Sequence, residues 1–267
     1  VVLPVSYKGK QYSLQFYVVN KPVQAILGLK ACEQLNVIQR VEEMNKIWKS
    51  ERDIFVAYKD VFSTNSISCL PITCHIEIDQ NVRPVIHAPR QVPAALRPKI
   101  QELDRMEKLG VVEPTTTPTE WVSSLVTVVK PNKIRLCIDP KDLNEAVKRE
   151  YYPMKTVEDV LTRLPDAKIF STLDSTSGFW QIPLDEESSI LTCFNTPFGR
   201  YRFKRLPFGI KSAPEVYQRV MEELFGGIEG CEVIADDLMV WGRNEEEHDQ
   251  RLKKVLDRAR EVQLKLN

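Results

Sequence analysis

The sequence predicts an α+β fold in which helices pack on one face of an antiparallel sheet, with a small β-rich segment at the N-terminus. Three observations support this class. Apolar residues recur every three or four positions in several long segments, which is typical of amphipathic helices. Pairs of short β-prone runs joined by turn residues lie between these segments, which is typical of hairpins. Helices that alternate with hairpins, instead of with single strands, favour an antiparallel sheet.

The composition is that of an ordinary globular protein of 267 residues, with 43% hydrophobic and 28% charged residues. The 37 basic and 37 acidic residues cancel, so binding of a polyanion must depend on local basic patches. No apolar run approaches the ~18 residues of a membrane span, and no membrane partner is expected. The six cysteines lack the paired short spacing of zinc sites, which favours reduced thiols in an intracellular protein.

The first third of the chain predicts a small β module followed by a connector. In residues 1–38, apolar and polar residues alternate on either side of a turn at Gly9, and a short helical segment follows. In residues 39–92, Val41–Lys59 predicts a charged helix. Prolines and a Ser/Thr/Asn run come after it, so we expect 39–92 to be a linker.

Residues 93–267 predict the main folded unit. Regular apolar spacing and Gly110 define the first helix, and a basic Pro-Asn-Lys turn defines the first hairpin. A capping box at Thr156 and a proline near the first turn at Pro214 mark two later helix starts. The predicted elements are helix 94–109, hairpin 124–130 with 134–138, helix 156–164, strand 168–173, a hairpin without stated bounds, helix 214–225, hairpin 231–242 and helix 245–264.

Three aspartates are candidates for a metal site. Asp236 and Asp237 stand side by side in the apolar hairpin 231–242, and Asp174 ends the strand before it. A single Asp at such a position is usually a turn former. If the fold brings the three carboxylates together, they repel each other unless divalent cations are bound. Two Mg²⁺ ions on carboxylate oxygens can activate a hydroxyl and stabilise a leaving pyrophosphate.

Several motifs occur in the order that is found in reverse transcriptases. They are Arg135-Leu-Cys-Ile-Asp139-Pro-Lys141-Asp-Leu143-Asn144, Leu173-Asp174-x-x-Ser177-Gly178-Phe179-Trp180-Gln181-Ile182, Phe194-Asn-Thr-Pro197-Phe-Gly199, Leu206-Pro207-Phe208-Gly209 and Ala235-Asp236-Asp237. Together they resemble the fingers and palm of a gypsy-type LTR-retrotransposon Pol polyprotein over about 84–267. Residues 1–38 similarly resemble the C-terminal end of a retropepsin. Protease activity is not expected, because the sequence contains no Asp-Thr-Gly or Asp-Ser-Gly.

The resemblance implies three segments: a retropepsin-like remnant at 1–38, a linker at 39–92, and reverse transcriptase fingers and palm without a thumb at 93–267. It implies an RNA-directed DNA polymerase, a nucleotidyltransferase that adds dNTPs to a primer on an RNA or DNA template. Asp174 and Asp236 are then the main ligands of two Mg²⁺ ions, with Mn²⁺ as a substitute, and Asp237 is a less direct ligand. The expected location is the cytoplasm or a retrotransposon particle, and the oligomeric state is left open.

The resemblance also implies a dNTP site. In it, the basic side chains of Lys130 and Arg135 on the fingers hairpin hold the triphosphate, which is physically reasonable for cations on a mobile hairpin. Phe179 lies against the sugar 2′ position and selects deoxynucleotides. The remaining implied contacts are backbone N–H groups of Ser175 and Thr176 for the phosphates, and Phe208 with Gly209 beside the nucleotide and template.

Residues 199–211 predict a nucleic-acid contact, with a solvated basic loop as the alternative. The segment contains no acid, and its basic residues are interleaved with aromatic ones, which suits phosphate binding and base stacking. Its basic residues are Arg200, Arg202, Lys204, Arg205 and Lys211.

Two other functions stay open at this point. One is a catalytically inactive, truncated retroelement remnant that only binds nucleic acid, because no thumb sequence follows the last helix. A change in the motif also bears on activity, since Ile234-Ala235 stands where the family most often has Tyr-x. The other is a β-rich interaction scaffold, which requires the three aspartates to be dispersed.

Overall fold

The computed structural model describes residues 2–16, 28–35, 51–63, 66–88, 98–130, 133–155, 159–160, 164, 166–234 and 237–267. The strands are β1 (Val2–Tyr7), β2 (Lys10–Gln15), β3 (Val112–Pro114), β4 (Ser124–Lys130), β5 (Lys133–Asp139), β6 (Ile169–Asp174), β7 (Phe194–Thr196), β8 (Gly199–Phe203), β9 (Cys231–Ile234) and β10 (Asp237–Gly242). The α-helices are α1 (Leu29–Gln34), α2 (Glu51–Ala57), α3 (Pro98–Lys108), α4 (Lys141–Ala146), α5 (Glu186–Leu191), α6 (Ala213–Phe225) and α7 (Glu245–Glu261), and a 3₁₀ helix spans Gly178–Gln181.

The sheet that matters for function has the strand order β6-β10-β9, with all neighbours antiparallel. Alternate residues of β10 face opposite sides, and Leu238 and Val240 on one side are fully buried. Helices α6 and α7 cover that side through contacts with β9 and β10. The other side of the sheet includes exposed residues such as Thr172. The predicted class, α+β with helices on one face of an antiparallel sheet, is confirmed.

Two further sheets lie around this unit. Strands β4 and β5 pair from Ser124 with Asp139 to Lys130 with Lys133, which confirms the predicted basic hairpin. A three-stranded sheet has the order β3-β8-β7. Its β7–β8 pair is antiparallel and lies where the sequence predicts a hairpin without bounds, between strand 168–173 and helix 214–225.

Most of the other predicted elements of 93–267 are observed. The first helix appears as α3, the later ones as α6 and α7, and the predicted strand as β6. Most of the predicted helix 156–164 lies outside the described residues. The short helices α4 and α5 were not predicted, since six residues are too few to show a helical period. None of the helices that the structure describes has both the length and the apolar character of a membrane span.

The described part of the predicted linker differs from a connector. Ile54, Tyr58 and Val61 are buried in the same hydrophobic core as the strands of the β6-β10-β9 sheet. Tyr58 donates a hydrogen bond of 2.6 Å to Asp257 Oδ1 on α7, and its pKa is raised by burial and by this bond.

Residues 66–88 also pack on the main unit without forming a regular strand. The Leu70 N–H donates to the Gln181 carbonyl at 2.8 Å, and the Cys74 N–H donates to the Pro183 carbonyl at 2.8 Å. Prolines prevent a continuous ladder here, yet single extended residues still bury their side chains. The sequence pattern therefore predicted the irregular backbone of this segment correctly. It did not predict that side chains such as Leu70 and Cys74 are buried against the main unit.

The N-terminal segment forms the predicted hairpin. Strands β1 and β2 pair antiparallel around a turn in which Lys8 and Gly9 have φ values of 47° and 75°. Leu14 on β2 and Leu35 after α1 are buried. Residues 17–27 and 36–38 lie outside the described residues, and the proposed boundaries at 38 and 92 stay predictions.

Candidate active site

Two of the three predicted aspartates lie opposite each other on the neighbouring strands β6 and β10. Asp174 is the last residue of β6 and Asp237 is the first residue of β10, and their Cα atoms are paired in the antiparallel register. Both residues are exposed. Directly opposed residues project from the same face of a sheet, so the two carboxylates lie on one face at the same end of these strands.

The backbone bonding shows what kind of pair this is. The carbonyl of Asp174 accepts the Asn267 N–H at 2.9 Å on the edge of β6 away from β10. Asp174 and Asp237 therefore form a non-hydrogen-bonded pair, for which the Cα separation is about 4.5 Å and the side chains are closest. Two carboxylates this close repel each other, and a divalent cation relieves the repulsion.

The donor chemistry of this pair fits a hard metal ion, since carboxylate oxygens are the ligands that Mg²⁺ prefers. Asp236 lies outside the described residues, so its part in the site stays a prediction. Within the described ranges, no group of three or more His, Cys, Asp or Glu side chains could hold a metal. The dispersed arrangement that a scaffold requires is nevertheless excluded for Asp174 and Asp237.

The turn that follows Asp174 differs from the prediction for the phosphate contacts. The N–H of Thr176 donates to the Lys265 carbonyl at 3.0 Å and is therefore engaged within the protein. Ser175 pairs with Leu266 in an isolated antiparallel bridge. The prediction assumed a loop with open N–H groups, whereas the backbone after Asp174 is hydrogen-bonded to residues 265–267. The structure thus argues against Thr176 as a phosphate donor, and Ser175 stays a prediction.

Two predicted nucleotide-contacting aromatics lie together beyond this turn. Phe179, on the 3₁₀ helix, has its ring centroid 5.0 Å from that of Phe208 and 5.4 Å from that of Tyr217. Trp180 packs edge-on against Phe208 at 5.7 Å. Phe179 and Phe208 are half-buried, so each ring keeps an accessible part.

Gly209 is held by a residue to which the sequence assigned no role. Asn144 on α4 donates from Nδ2 to the Gly209 carbonyl at 2.8 Å and accepts the Lys211 N–H at 2.9 Å. Gly209 has a φ of 106°, a conformation that favours glycine. Asn144 belongs to the 135–144 motif. Its position in that motif was the only sequence signal for this role, because its contact with Gly209 spans 65 residues of the chain.

The predicted triphosphate-binding residues lie on the β4–β5 hairpin. Arg135 on β5 is paired with Val128 on β4, and Lys130 ends β4 opposite Lys133. The side chains of Lys130 and Arg135 are outside the described part of the structure. Their contact with a nucleotide stays a prediction.

Two of the five basic residues in the predicted nucleic-acid segment are paired with acids. Arg202 is only 12% exposed and lies between Glu113 and Glu186. Lys204 lies 3.5 Å from Glu113. These acids come from β3 and α5, which are distant in sequence but adjacent in space. The structure therefore argues against Arg202 as a phosphate contact.

The other three basic residues have mixed surroundings. Arg205 donates to the Ser68 carbonyl at 3.0 Å, and Arg200 donates from Nε to Asn195 Oδ1 at 3.3 Å. The side chain of Lys211 is partly exposed. Arg200 and Lys211 keep their predicted role as a hypothesis, whereas Arg205 is used to hold the 66–88 segment.

Comparison with known families gives a match over more than half of the chain. Residues 127–267 match the family described as reverse transcriptase (RNA-dependent DNA polymerase). The retrovirus-related Pol polyprotein from transposon 412 of Drosophila melanogaster is 37% identical over 83% of this chain and 19% of that protein. The uncharacterized protein K02A2.6 of Caenorhabditis elegans is 30% identical over 95% of this chain and 21% of that protein. The chain thus spans about a fifth of the length of these relatives.

Solved structures give the same fold. A foamy viral protease-reverse transcriptase in complex with RNA/DNA hybrid has a TM-score of 0.72 and 24% identity, and the match covers 80% of this chain and 29% of that one. A foamy viral protease-reverse transcriptase in complex with double-stranded DNA has a TM-score of 0.73 and 21% identity, and covers 100% of this chain and 50% of that one. At this identity the match shows a shared fold.

Proposed function

Because this chain belongs to the reverse transcriptase family, we propose that it is the fingers and palm of an RNA-directed DNA polymerase that adds dNMP from a dNTP to a primer 3′-OH. The observation that carries this function is the pair Asp174 and Asp237, which lie opposite each other at one end of strands β6 and β10. The relatives named as transposon Pol polyproteins support a retrotransposon origin. The sequence motifs favour the gypsy type.

Asp174, Asp236 and Asp237 would hold two divalent cations in this function. When bound, such ions activate the primer hydroxyl and neutralise the charge of the leaving pyrophosphate. The chain's own residues then position the substrates. Lys130 and Arg135, which lie on the fingers hairpin, neutralise the charge of the triphosphate. Phe179 occupies the space that a 2′-hydroxyl would need and so excludes ribonucleotides.

The proposed partner is a primer annealed to an RNA or DNA template. On the same face as Asp174, Thr172 and Phe170 follow along β6 and are exposed, and Phe170 keeps 38% of its surface. A duplex that lies on this face brings the primer end to the carboxylates. Related folds were solved with an RNA/DNA hybrid and with double-stranded DNA, which supports this partner. We place the reaction in the cytoplasm, within retrotransposon particles.

The β1–β2 hairpin and α1 fit a segment derived from a protease. A solved foamy viral protease-reverse transcriptase structure matches 100% of this chain, which supports a retropepsin origin of residues 1–38. The residues present do not support proteolysis, because the Asp-Thr/Ser-Gly loop does not occur in this sequence.

Primer extension on an RNA template with Mg²⁺ tests the polymerase function. Wild-type chain should extend the primer, and Asp174→Asn and Asp236→Asn should each abolish extension, because they remove metal-ligand charge. The matched control is Asp166→Asn, which changes an exposed aspartate before β6 and should keep wild-type extension. Wild-type-like extension by Asp174→Asn contradicts the proposal.

One observation favours the inactive remnant as a second candidate. Ile234 ends β9 where the family most often has Tyr, so the aromatic ring near the primer end is lost. Gel binding of a labelled primer-template, run beside the extension assay, separates the two functions. Binding without extension in Mg²⁺ or Mn²⁺ supports the remnant, and extension excludes it.

A further inference from the structure

The side chain of Asn267 contacts the carboxylate of Asp174 directly. Asn267 Nδ2 donates to Asp174 Oδ2 at 2.6 Å, and the Asn267 N–H donates to the Asp174 carbonyl at 2.9 Å. The Thr176 hydroxyl donates to Asn267 Oδ1 at 2.9 Å. A carboxylate only accepts hydrogen bonds, so the NH₂ group of the amide must face Asp174. Thr176 then fixes the other end of the same amide.

The segment that carries Asn267 is firmly held. Leu264 and Leu266 are fully buried on alternate positions. The Leu266 N–H donates to the Val61 carbonyl at 3.0 Å, which ties the segment to the core region after α2. Asn267 is therefore placed by a fixed backbone, although its own side chain is exposed.

Gln181 fixes the same segment from the other side. This residue is 0% exposed. Its Nε2 donates to the Thr176 carbonyl at 2.9 Å and to the Lys265 carbonyl at 2.8 Å, and its Oε1 accepts the Lys265 N–H at 2.8 Å. The turn after Asp174 and the 264–267 segment are thus joined by one buried amide, which keeps Asn267 in register with Asp174.

We propose that Asn267 is a positioning residue that orients the Asp174 carboxylate for metal binding; this rests on the proposed function. The amide engages one side of Oδ2 and so stops rotation of the carboxylate, while Oδ1 and the remaining lone pairs stay available to a cation. Hydrogen bonds from outer residues to ligating carboxylates act in this way, and their loss typically costs about 10–100-fold in metal affinity or activity.

The test measures Mn²⁺ affinity by calorimetry, without nucleotide or template. Asn267→Ala should weaken Mn²⁺ binding about 10-fold or more. Thr176→Val should weaken it less, because the amide loses its anchor but keeps its donor group. The matched control is Gln250→Ala, which removes an exposed amide from α7 and should leave Mn²⁺ affinity unchanged.

Two further measurements distinguish positioning from a structural role. Asn267→Ala keeps its backbone bond to Asp174, so its metal-free unfolding temperature should stay close to that of the wild type. In primer extension, its half-saturating Mg²⁺ concentration should rise, and kcat should recover at saturating Mg²⁺. A folded Asn267→Ala with wild-type Mn²⁺ affinity overturns the proposal.

Mn²⁺ binding by the wild type and by Asp174→Asn distinguishes a failure of the proposed metal site from a failure of the positioning role. If wild-type Mn²⁺ binding does not depend on Asp174, the proposed metal site fails and the role of Asn267 fails with it. If it depends on Asp174 but not on Asn267, only the positioning role fails.

Discussion

The ring of Tyr217 lies so close to Gly178 that a Cβ on that glycine would be 2.8 Å from the ring and from its hydroxyl oxygen. Tyr217 is on α6 and is 1% exposed, so it has little room to move. The glycine is therefore required by close packing. Through this contact, α6 sets the position of the 3₁₀ helix that carries Phe179.

We expect Gly178→Ala to destabilise the protein by about 1–3 kcal/mol, the usual cost of an added methyl group in a packed core. It should also reduce primer extension, because Phe179 moves with the backbone. Urea unfolding measures the first effect. Gly227→Ala is the matched control, since a Cβ there meets nothing within 4 Å. Equal stability of the two variants would contradict this account of Gly178.

Phe179→Val should increase ribonucleotide incorporation. The ring is held by Phe208 and Tyr217, with centroids at 5.0 and 5.4 Å, and a smaller side chain cannot reach as far toward the sugar. The measurement is the ratio of kcat/KM for dNTP and rNTP in primer extension. The control is Phe198→Val, which shortens a 61% exposed phenylalanine at the tip of the β7–β8 hairpin. Unchanged discrimination in Phe179→Val would refute the filter role.

Local patterns predicted the elements around the site well. The apolar runs on either side of Asp236-Asp237 predicted β9 and β10, and the apolar run that ends at Asp174 predicted β6. Their partnership was not readable from those runs. Which strand lies beside which depends on packing against α6 and α7, and the pairing of Asp174 with Asp237 is seen only in the structure. The family motifs predicted only that these residues share one site.

The predicted functions that failed depended on contacts between distant segments. Arg202 appeared as a free cation because Glu113 and Glu186 lie 89 and 16 residues away in the chain. The Thr176 N–H appeared open because Lys265, which accepts from it, is near the other end of the sequence. Gln181 received no role for the same reason, since two of the three hydrogen bonds described for its side chain are to Lys265.

Gln181→Leu should destabilise the protein by at least about 2 kcal/mol, because each buried polar group left without a partner costs about 1–3 kcal/mol. Two backbone groups lose their partner, namely the Thr176 carbonyl and the Lys265 N–H, whereas the Lys265 carbonyl keeps the Thr176 N–H as a donor. The free energy of unfolding in urea measures this loss. Gln250→Leu on the exposed face of α7 is the control and should change stability little. A Gln181→Leu variant as stable as that control would show that the amide is dispensable.

The pair His75 and Asp185 predicts a pH dependence of stability. His75 Nδ1 lies 2.6 Å from Asp185 Oδ2, and this hydrogen bond raises the pKa of His75 above its usual value of 6.5. The folded state therefore binds the proton more tightly than the unfolded state. The stabilisation is fully present below pH 6.5 and is lost as the pH rises through the folded-state pKa of His75.

We expect His75→Gln to remove this slope from the free energy of unfolding between about pH 6 and pH 9. The difference from the wild type should stay below about 1 kcal/mol, because the His75 side chain is 55% exposed. Asp185→Asn should remove the same slope while still capping α5, since asparagine also accepts the Ser188 N–H. The variant that combines His75→Gln and Asp185→Asn should show the same pH dependence of the unfolding free energy as either single variant. A wild-type slope that survives in His75→Gln would place the titrating group elsewhere.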